Sequence, residues 1–383
     1  MLNLDKHPIY VSGVAESPLG HLPKHTELSM VALAARDALK EAGLTLADVD
    51  GVFSFRMGDM SAVQLSEYLD LKPKYVESSD LQGSAPLSFV HHAIGALSAG
   101  LCDVALIAFA AKGRTGHPDY GTYNPMSFNA QFEEPYGLPV PLGHYAMAAT
   151  RHMHEFGTTS EQLAEVAVAA RQWAALNPKA WKRSPITVDD VLESRMICSP
   201  IRRLDCCVVT DAGGAVVLTR ADRARDALKK PVRVLGAGES VSHVSLSQAG
   251  DLARPRVGRE AAKRALEMSG VGLDSIDFAQ IYDAFTISVL LGLEDIGFCK
   301  PGESGAFVEK GALAPGGRLA TFTSGGGLSY THPGAFGIFL IIEAVRQLRG
   351  EAGQRQVSNA RVGMAHAIAG TMSCGATIVL GKE

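Results

Sequence analysis

Pro8-Ile9-Tyr10-Val11-Ser12-Gly13-Val14-Ala15-Glu16-Ser17, near the start of the chain, is answered beyond its middle by Pro231-Val232-Arg233-Val234-Leu235-Gly236-Ala237-Gly238-Glu239-Ser240. Pro, Val, Gly, Glu and Ser recur in register. A second pair, Ala35 to Asp50 and Ala262 to Asp277, follows each copy at nearly the same distance. Each unit runs from a β-branched strand through an amphipathic helix and a Gly stop to a short loop and another apolar strand, which is the pattern of one mixed α/β module. The duplication predicts an α/β protein with mixed sheets, its first half over 1–230 and its second over 231–383. Function is expected in the cleft where the loops of the two halves meet.

The bulk numbers agree with two core-bearing halves: 383 residues, 46% of them hydrophobic, exceed the usual size of a single core. Lys and Arg are scattered and the formal net charge is −4, so no phosphate-backbone footprint is visible and nucleic acid is not an expected partner. No apolar run approaches the roughly 20 residues that cross a bilayer, and the start of the chain has no signal-peptide pattern. A cytoplasmic protein without membrane association is expected. The six cysteines include no Cys-x-x-Cys pair, and Cys206 and Cys207, read as strand neighbours, would face opposite sides. No metal site is indicated. His91 and His92 diverge by about 100° on a helix and are not expected to line one site.

Strands are read near 9–14, 51–55, 103–109, 214–219 and 279–281, and helices near 28–42, 86–99, 146–155, 160–175, 258–269, 286–296 and 335–348, before a closing pair of strands. Residues 112–145, rich in Gly, Pro, Tyr and Asn, read as a loop excursion within an insertion spanning about 112–200. Its Tyr120, Tyr123, Phe128, Phe132 and Tyr136 are expected to bound an apolar pocket or a partner surface. The run Gly325-Gly326-Gly327 lacks the G-x-G-x-x-G spacing of a dinucleotide loop.

Four segments carry chemistry. They are Tyr282-Asp283-Ala284-Phe285, Gly325 to Gly334 (GGGLSYTHPG), Ser373-Cys374-Gly375-Ala376, and Leu204-Asp205-Cys206-Cys207 running on to Asp211-Ala212-Gly213-Gly214-Ala215. In order and spacing they resemble the thiolase superfamily, nearest its sterol-carrier-protein-type branch, over essentially the whole chain. The resemblance implies a five-stranded mixed sheet in each half, helices stacked in layers, and a homodimer. It also implies a catalytic Cys at the start of a buried first-half helix. Counting back from Ala99-Gly100-Leu101-Cys102-Asp103, that position falls on Ser84 in Gln82-Gly83-Ser84-Ala85-Pro86. A hydroxyl lacks the low pKa and the leaving ability of a thiolate, so a nucleophilic Ser84 would need a committed base such as His332. Its simpler reading is a helix N-cap that lets a ligand approach.

Some thiolase-like proteins without the Cys are similar to this chain at Tyr282-Asp283-Ala284-Phe285-Thr286 and Tyr330-Thr331-His332. That similarity implies retro-aldol cleavage of a β-hydroxyacyl-CoA, as in steroid side-chain degradation, with a small DUF35-type OB-fold partner. The chemistry needs a base for the β-hydroxyl proton and donors for the nascent enolate oxygen, and no nucleophile. Tyr330, His332 and Tyr282 are the expected catalytic residues, and Ser84, Gly326, Asp283 and Cys374 the expected substrate contacts. No tightly bound cofactor is expected, CoA arriving as part of the substrate. A conventional thiolase or acyltransferase acting on 3-ketoacyl-CoA through Ser84 or a displaced Cys, and a non-catalytic acyl-CoA or lipid-binding subunit, are the alternatives.

Overall fold

The computed structural model describes residues 4, 7–58, 60–116 and 125–383. Tyr120 and Tyr123 lie outside the described residues. The first half contributes β1 (Ile9–Glu16), β2 (Gly51–Phe53), β3 (Tyr75–Glu77), β4 (Val104–Lys112) and β5 (Asp211–Arg220). The second contributes β6 (Val232–Val241), β7 (Phe278–Ile281), β8 (Ala320–Thr321), β9 (Val362–Ala369) and β10 (Cys374–Gly381). Spatial order is β3-β2-β4-β5-β1 in one and β8-β7-β9-β10-β6 in the other. Pairing sense repeats too: β2 is parallel to β3 and β4 as β7 is to β8 and β9, while β5 and β10 run antiparallel to both their neighbours. The two sheets are joined edge to edge by a short antiparallel pairing, Tyr10 with Arg233 and Val11 with Val232.

Helix α1 (Glu27–Glu41) covers the outer face of the first sheet, and its counterpart α2 (Arg256–Ser269) covers that of the second. The repeated glycines explain how closely they lie. A Cβ on Gly13 would stand 1.9 Å from the Ala38 carbonyl oxygen, and one on Gly236 2.3 Å from that of Ala265. Between the halves run two inner helices, Ala85–Ser98 and Gly337–Arg349, apolar over most of their surface and therefore buried. They meet at their beginnings, where a Cβ on Gly337 would lie 2.4 Å from the Gly83 carbonyl oxygen. Both N-termini thus open onto the same spot.

Three expectations are corrected. Cys206 and Cys207 are not strand neighbours: they follow a short helical turn, Arg203–Asp205, Cys206 forms only an isolated bridge with Phe285, and β5 starts at Asp211. His91 and His92, on one inner helix, both turn toward Glu239 on β6. Within 112–145 the chain is less irregular than its composition suggests, since β4 runs on to Lys112 and Ser127 caps a short helix, Phe128–Phe132. Among the described residues no helix is long and apolar enough to cross a membrane.

Candidate active site

Strand β7 delivers Tyr282 and Asp283 to the cleft, the Tyr282 N–H donating to the His366 carbonyl at 2.9 Å. Asp283 points into the glycine turn: one carboxylate oxygen accepts from the Gly327 N–H at 2.6 Å and the other from the Leu328 N–H at 3.1 Å. Only glycine fits at 326, where φ is +62° and a Cβ would stand 2.0 Å from the Asp283 carboxylate. Burial pushes the Asp283 carboxyl up to about 7, against the pull of those two N–H groups. Asp283 and Gly326 thus act as a buried clamp on the turn. The turn ends at Tyr330 and hands the chain to Thr331 and His332, which Thr210 fixes: its hydroxyl accepts from the His332 N–H at 2.9 Å and pairs with the Thr331 hydroxyl at 2.8 Å.

That clamp sets His332 against Tyr282, with Oη 3.0 Å from Nε2 and the rings edge to face. Both are buried, and burial holds them in their uncharged forms: the imidazole is lowered to about 4 and the phenol raised well above its ordinary value. With its proton on Nδ1, the neutral imidazole offers Nε2 as acceptor and the phenol donates. The Tyr282 hydroxyl lies under the tip of the inner helix Ala85–Ser98, where a Cβ on Gly83 would fall 2.4 Å from Oη. The side-chain direction that leads from this tip to the imidazole therefore belongs to residue 83, and Tyr282 fills that space. The preceding Gln82 adopts φ +55°, which turns the backbone into the helix start.

Ser84 lies one residue further on, fully buried. It occupies the N-cap position without capping, since its hydroxyl donates instead to the Leu81 carbonyl at 2.7 Å. Among the described residues no base is hydrogen-bonded to it, and His332 Nε2 pairs with Tyr282. Tyr330 is not brought to the pair either. Its ring packs edge-on against Phe339 and reaches Tyr282 only through Phe339 and Phe336. Burial, reinforced by Glu16, raises the Tyr330 phenol well above its ordinary value, Arg346 opposing. Cys374 stands at the start of β10, half-buried, 3.7 Å from the Ser373 hydroxyl, and burial keeps it a thiol.

Three neighbours were not among the site residues expected from the sequence. Gly83 has no side chain to notice. Tyr145, on the helix Leu142–Phe156, lies tilted against Phe285 with ring centroids 4.7 Å apart, and burial first, then Cys374 and Cys207, raises its phenol. Cys207 adds to the charge-averse surroundings of Tyr282, and burial, then Cys206 and Asp283, holds its own thiol protonated. Phe128, Phe132 and Tyr136 are exposed, the last by 87%, so they form surface rather than pocket wall.

Residues 238–382 match the family described as "Thiolase C-terminal domain-like". The acetyl-CoA acetyltransferase of Methanothermobacter thermautotrophicus is 34% identical, covering 95% of this chain and 96% of that protein. The 17-hydroxy-3-oxo-4-pregnene-20-carboxyl-CoA lyase of Mycobacterium tuberculosis is 35% identical over 89% and 91% of the two chains. Among solved structures, the Ltp2-ChsH2(DUF35) aldolase superposes with a TM-score of 0.90 at 31% identity, covering 98% of each chain.

Proposed function

Since the chain belongs to the thiolase superfamily, with 34% identity to one member over nearly the full length of both, we propose that it is an aldolase of CoA thioesters that forms no covalent acyl-enzyme. Its substrate is a β-hydroxyacyl-CoA with a bulky, steroid-like acyl group, in keeping with the relative named as a lyase of such a thioester. The observation that carries this reading is the Tyr282 hydroxyl, 3.0 Å from His332 Nε2 and filling the space a nucleophile at residue 83 would need.

Tyr282 takes the β-hydroxyl proton of the substrate while passing its own to His332. The oxygen becomes the carbonyl of a departing aldehyde or ketone, and the Cα–Cβ bond breaks. Its electron pair passes to the thioester as an enolate, and the proton held on His332 returns through Tyr282 to Cα, leaving both side chains in their starting forms. Coupling the two transfers avoids a free phenolate in a site that disfavours charge. The N-terminal ends of the two inner helices favour the negative charge that develops at the thioester oxygen.

Acyl transfer is the weaker reading. Ser84 has its proton committed to Leu81, and Cys207 and Cys374 are thiols raised by burial, the opposite of an activated nucleophile. The name of the superposing aldolase complex supports a DUF35-type partner, and we propose that the protein works beside it as a cytoplasmic homodimer. The exposed Phe128, Phe132 and Tyr136 are a surface such a partner would cover. The test is to incubate protein and partner with a β-hydroxyacyl-CoA carrying a bulky side chain. Equimolar carbonyl product and shortened acyl-CoA are expected; thiolysis of a 3-ketoacyl-CoA with the hydroxyacyl substrate left intact rejects the proposal.

A further inference from the structure

Glu16 and Glu239 occupy the same place in the two copies of the repeat, each facing the inner helix of the other half. Glu16 is neutralised by permanent cations, pairing with Arg346 and, at 2.5 Å, with Lys179. Glu239 meets two imidazoles instead. His92 Nε2 lies 2.9 Å from one carboxylate oxygen and His91 Nδ1 lies 3.8 Å from the same atom, while the Ser88 hydroxyl donates to the other. The remaining nitrogen of His92, Nδ1, faces Glu77 on β3. His91 Nδ1 is buried and has no hydrogen-bond partner. The ligating atoms of His91, His92 and Glu239 all lie within 4.8 Å of one another.

We propose that His91, His92 and Glu239 bind a divalent transition-metal ion, Zn2+ foremost, with Glu77 as the outer carboxylate that orients His92. Two imidazoles and a carboxylate are a donor set suited to Zn2+, whose Zn–N bonds of about 2.0–2.1 Å place tetrahedral donors roughly 3.3 Å apart. The observed spacings bracket that value, so small rotamer shifts close the site. Glu77 accepting from the His92 Nδ1–H leaves the Nε2 lone pair aimed at the ion, the carboxylate–histidine–metal arrangement that fixes tautomer and ring. Partial exposure of both imidazoles leaves a position for water.

The ion would pin the first-half inner helix to second-half strand β6 (Val232–Val241). At about 1.5 Å rise per residue, His92 is roughly 13 Å along the helix axis from Gly83, so the ion would steady the helix tip without touching substrate.

The experiment treats the purified full-length protein with chelator and titrates it with Zn2+ by calorimetry, with Co2+ as an optical probe. One ion per chain, a rise in Tm and the visible band of four-coordinate Co2+ are expected. His91→Ala is the decisive variant, because Nδ1, 3.8 Å from Glu239, has only that long contact to lose. It should fold as before and bind more than about 100-fold more weakly, while Glu77→Gln should weaken binding about 10- to 100-fold. No Zn2+ binding, or an unchanged affinity and Co2+ band in His91→Ala, would overturn the proposal and leave His92 as the centre of an ion-pair cluster only.

Discussion

The two halves share strand order, pairing sense and an inner helix whose N-terminus opens on the cleft, yet they furnish that cleft differently. The first brings bare backbone, Gln82-Gly83-Ser84 at its helix tip, with the one nearby hydroxyl turned away. The second brings Tyr282 from a strand end, Asp283 as the clamp on the turn, and His332 just before its helix. Duplication thus supplies two converging helix dipoles, and divergence of the tips decides which half carries the functional groups. In this chain the side chains gathered at the cleft come from the second half.

The largest effect is expected where the halves touch. Tyr282→Phe should lower kcat by about 10²- to 10⁴-fold, the usual worth of a positioned acid–base group. Gly83→Ala should come close to it, because the added Cβ would meet Oη at 2.4 Å and push the phenol off His332. Carbon–carbon cleavage measured on both variants checks this; near-normal turnover in Gly83→Ala would sever the link between tip and pair.

A medium effect concerns pH. His332, lowered to about 4 by burial, stays neutral where an ordinary imidazole of about 6.5 is half charged, so the acid limb of kcat/KM should fall near 4. Because the unfolded chain takes up this proton first, the stability contributed by the neutral imidazole is complete above about 6.5. It is lost as pH falls toward 4, at about 1.4 kcal/mol per pH unit. Chemical denaturation of wild type and His332→Gln across that range isolates this share from that of His366, another buried imidazole lowered by burial. A slope identical in both proteins contradicts the assignment.

The smallest effect is expected at the first-half hydroxyl. Ser84→Ala should cost about 1 kcal/mol of stability, one hydrogen bond to Leu81, and leave turnover within a few-fold. A loss as large as that of Tyr282→Phe would return the nucleophile to the first half.

Long amphipathic and β-branched runs were legible. The helix Thr286–Ile296 has the ends its sequence predicts, since Gly297 closes it with a left-handed residue. The edge strands Tyr75–Glu77 and Ala320–Thr321 were not, two or three residues being too few to show a period of two. At the site, the motifs led to Tyr282, Asp283 and His332, which the structure brings together, and to Tyr330, which it sets apart from them. The turn closes helically through Gly326–Tyr330 before Thr331 extends, so Tyr330 packs on Phe339 while His332 meets Tyr282. Gly83 escaped notice because what matters there is a missing side chain. The count along the sequence led to Ser84, whereas the Cβ direction that meets Tyr282 belongs to Gly83. The meeting of His91 with His92 escaped as well, because helical geometry separates neighbours at Cβ while long imidazole arms can still converge on a third residue.

The phenol ring beneath Gly83 also bears on how such a chain can change over generations. A thiol introduced at position 83 would meet an occupied volume, and trimming Tyr282 alone would discard the proposed proton relay. Sulfur chemistry at this helix tip therefore needs both changes at once. One aromatic ring thereby ties the fate of two distant positions together.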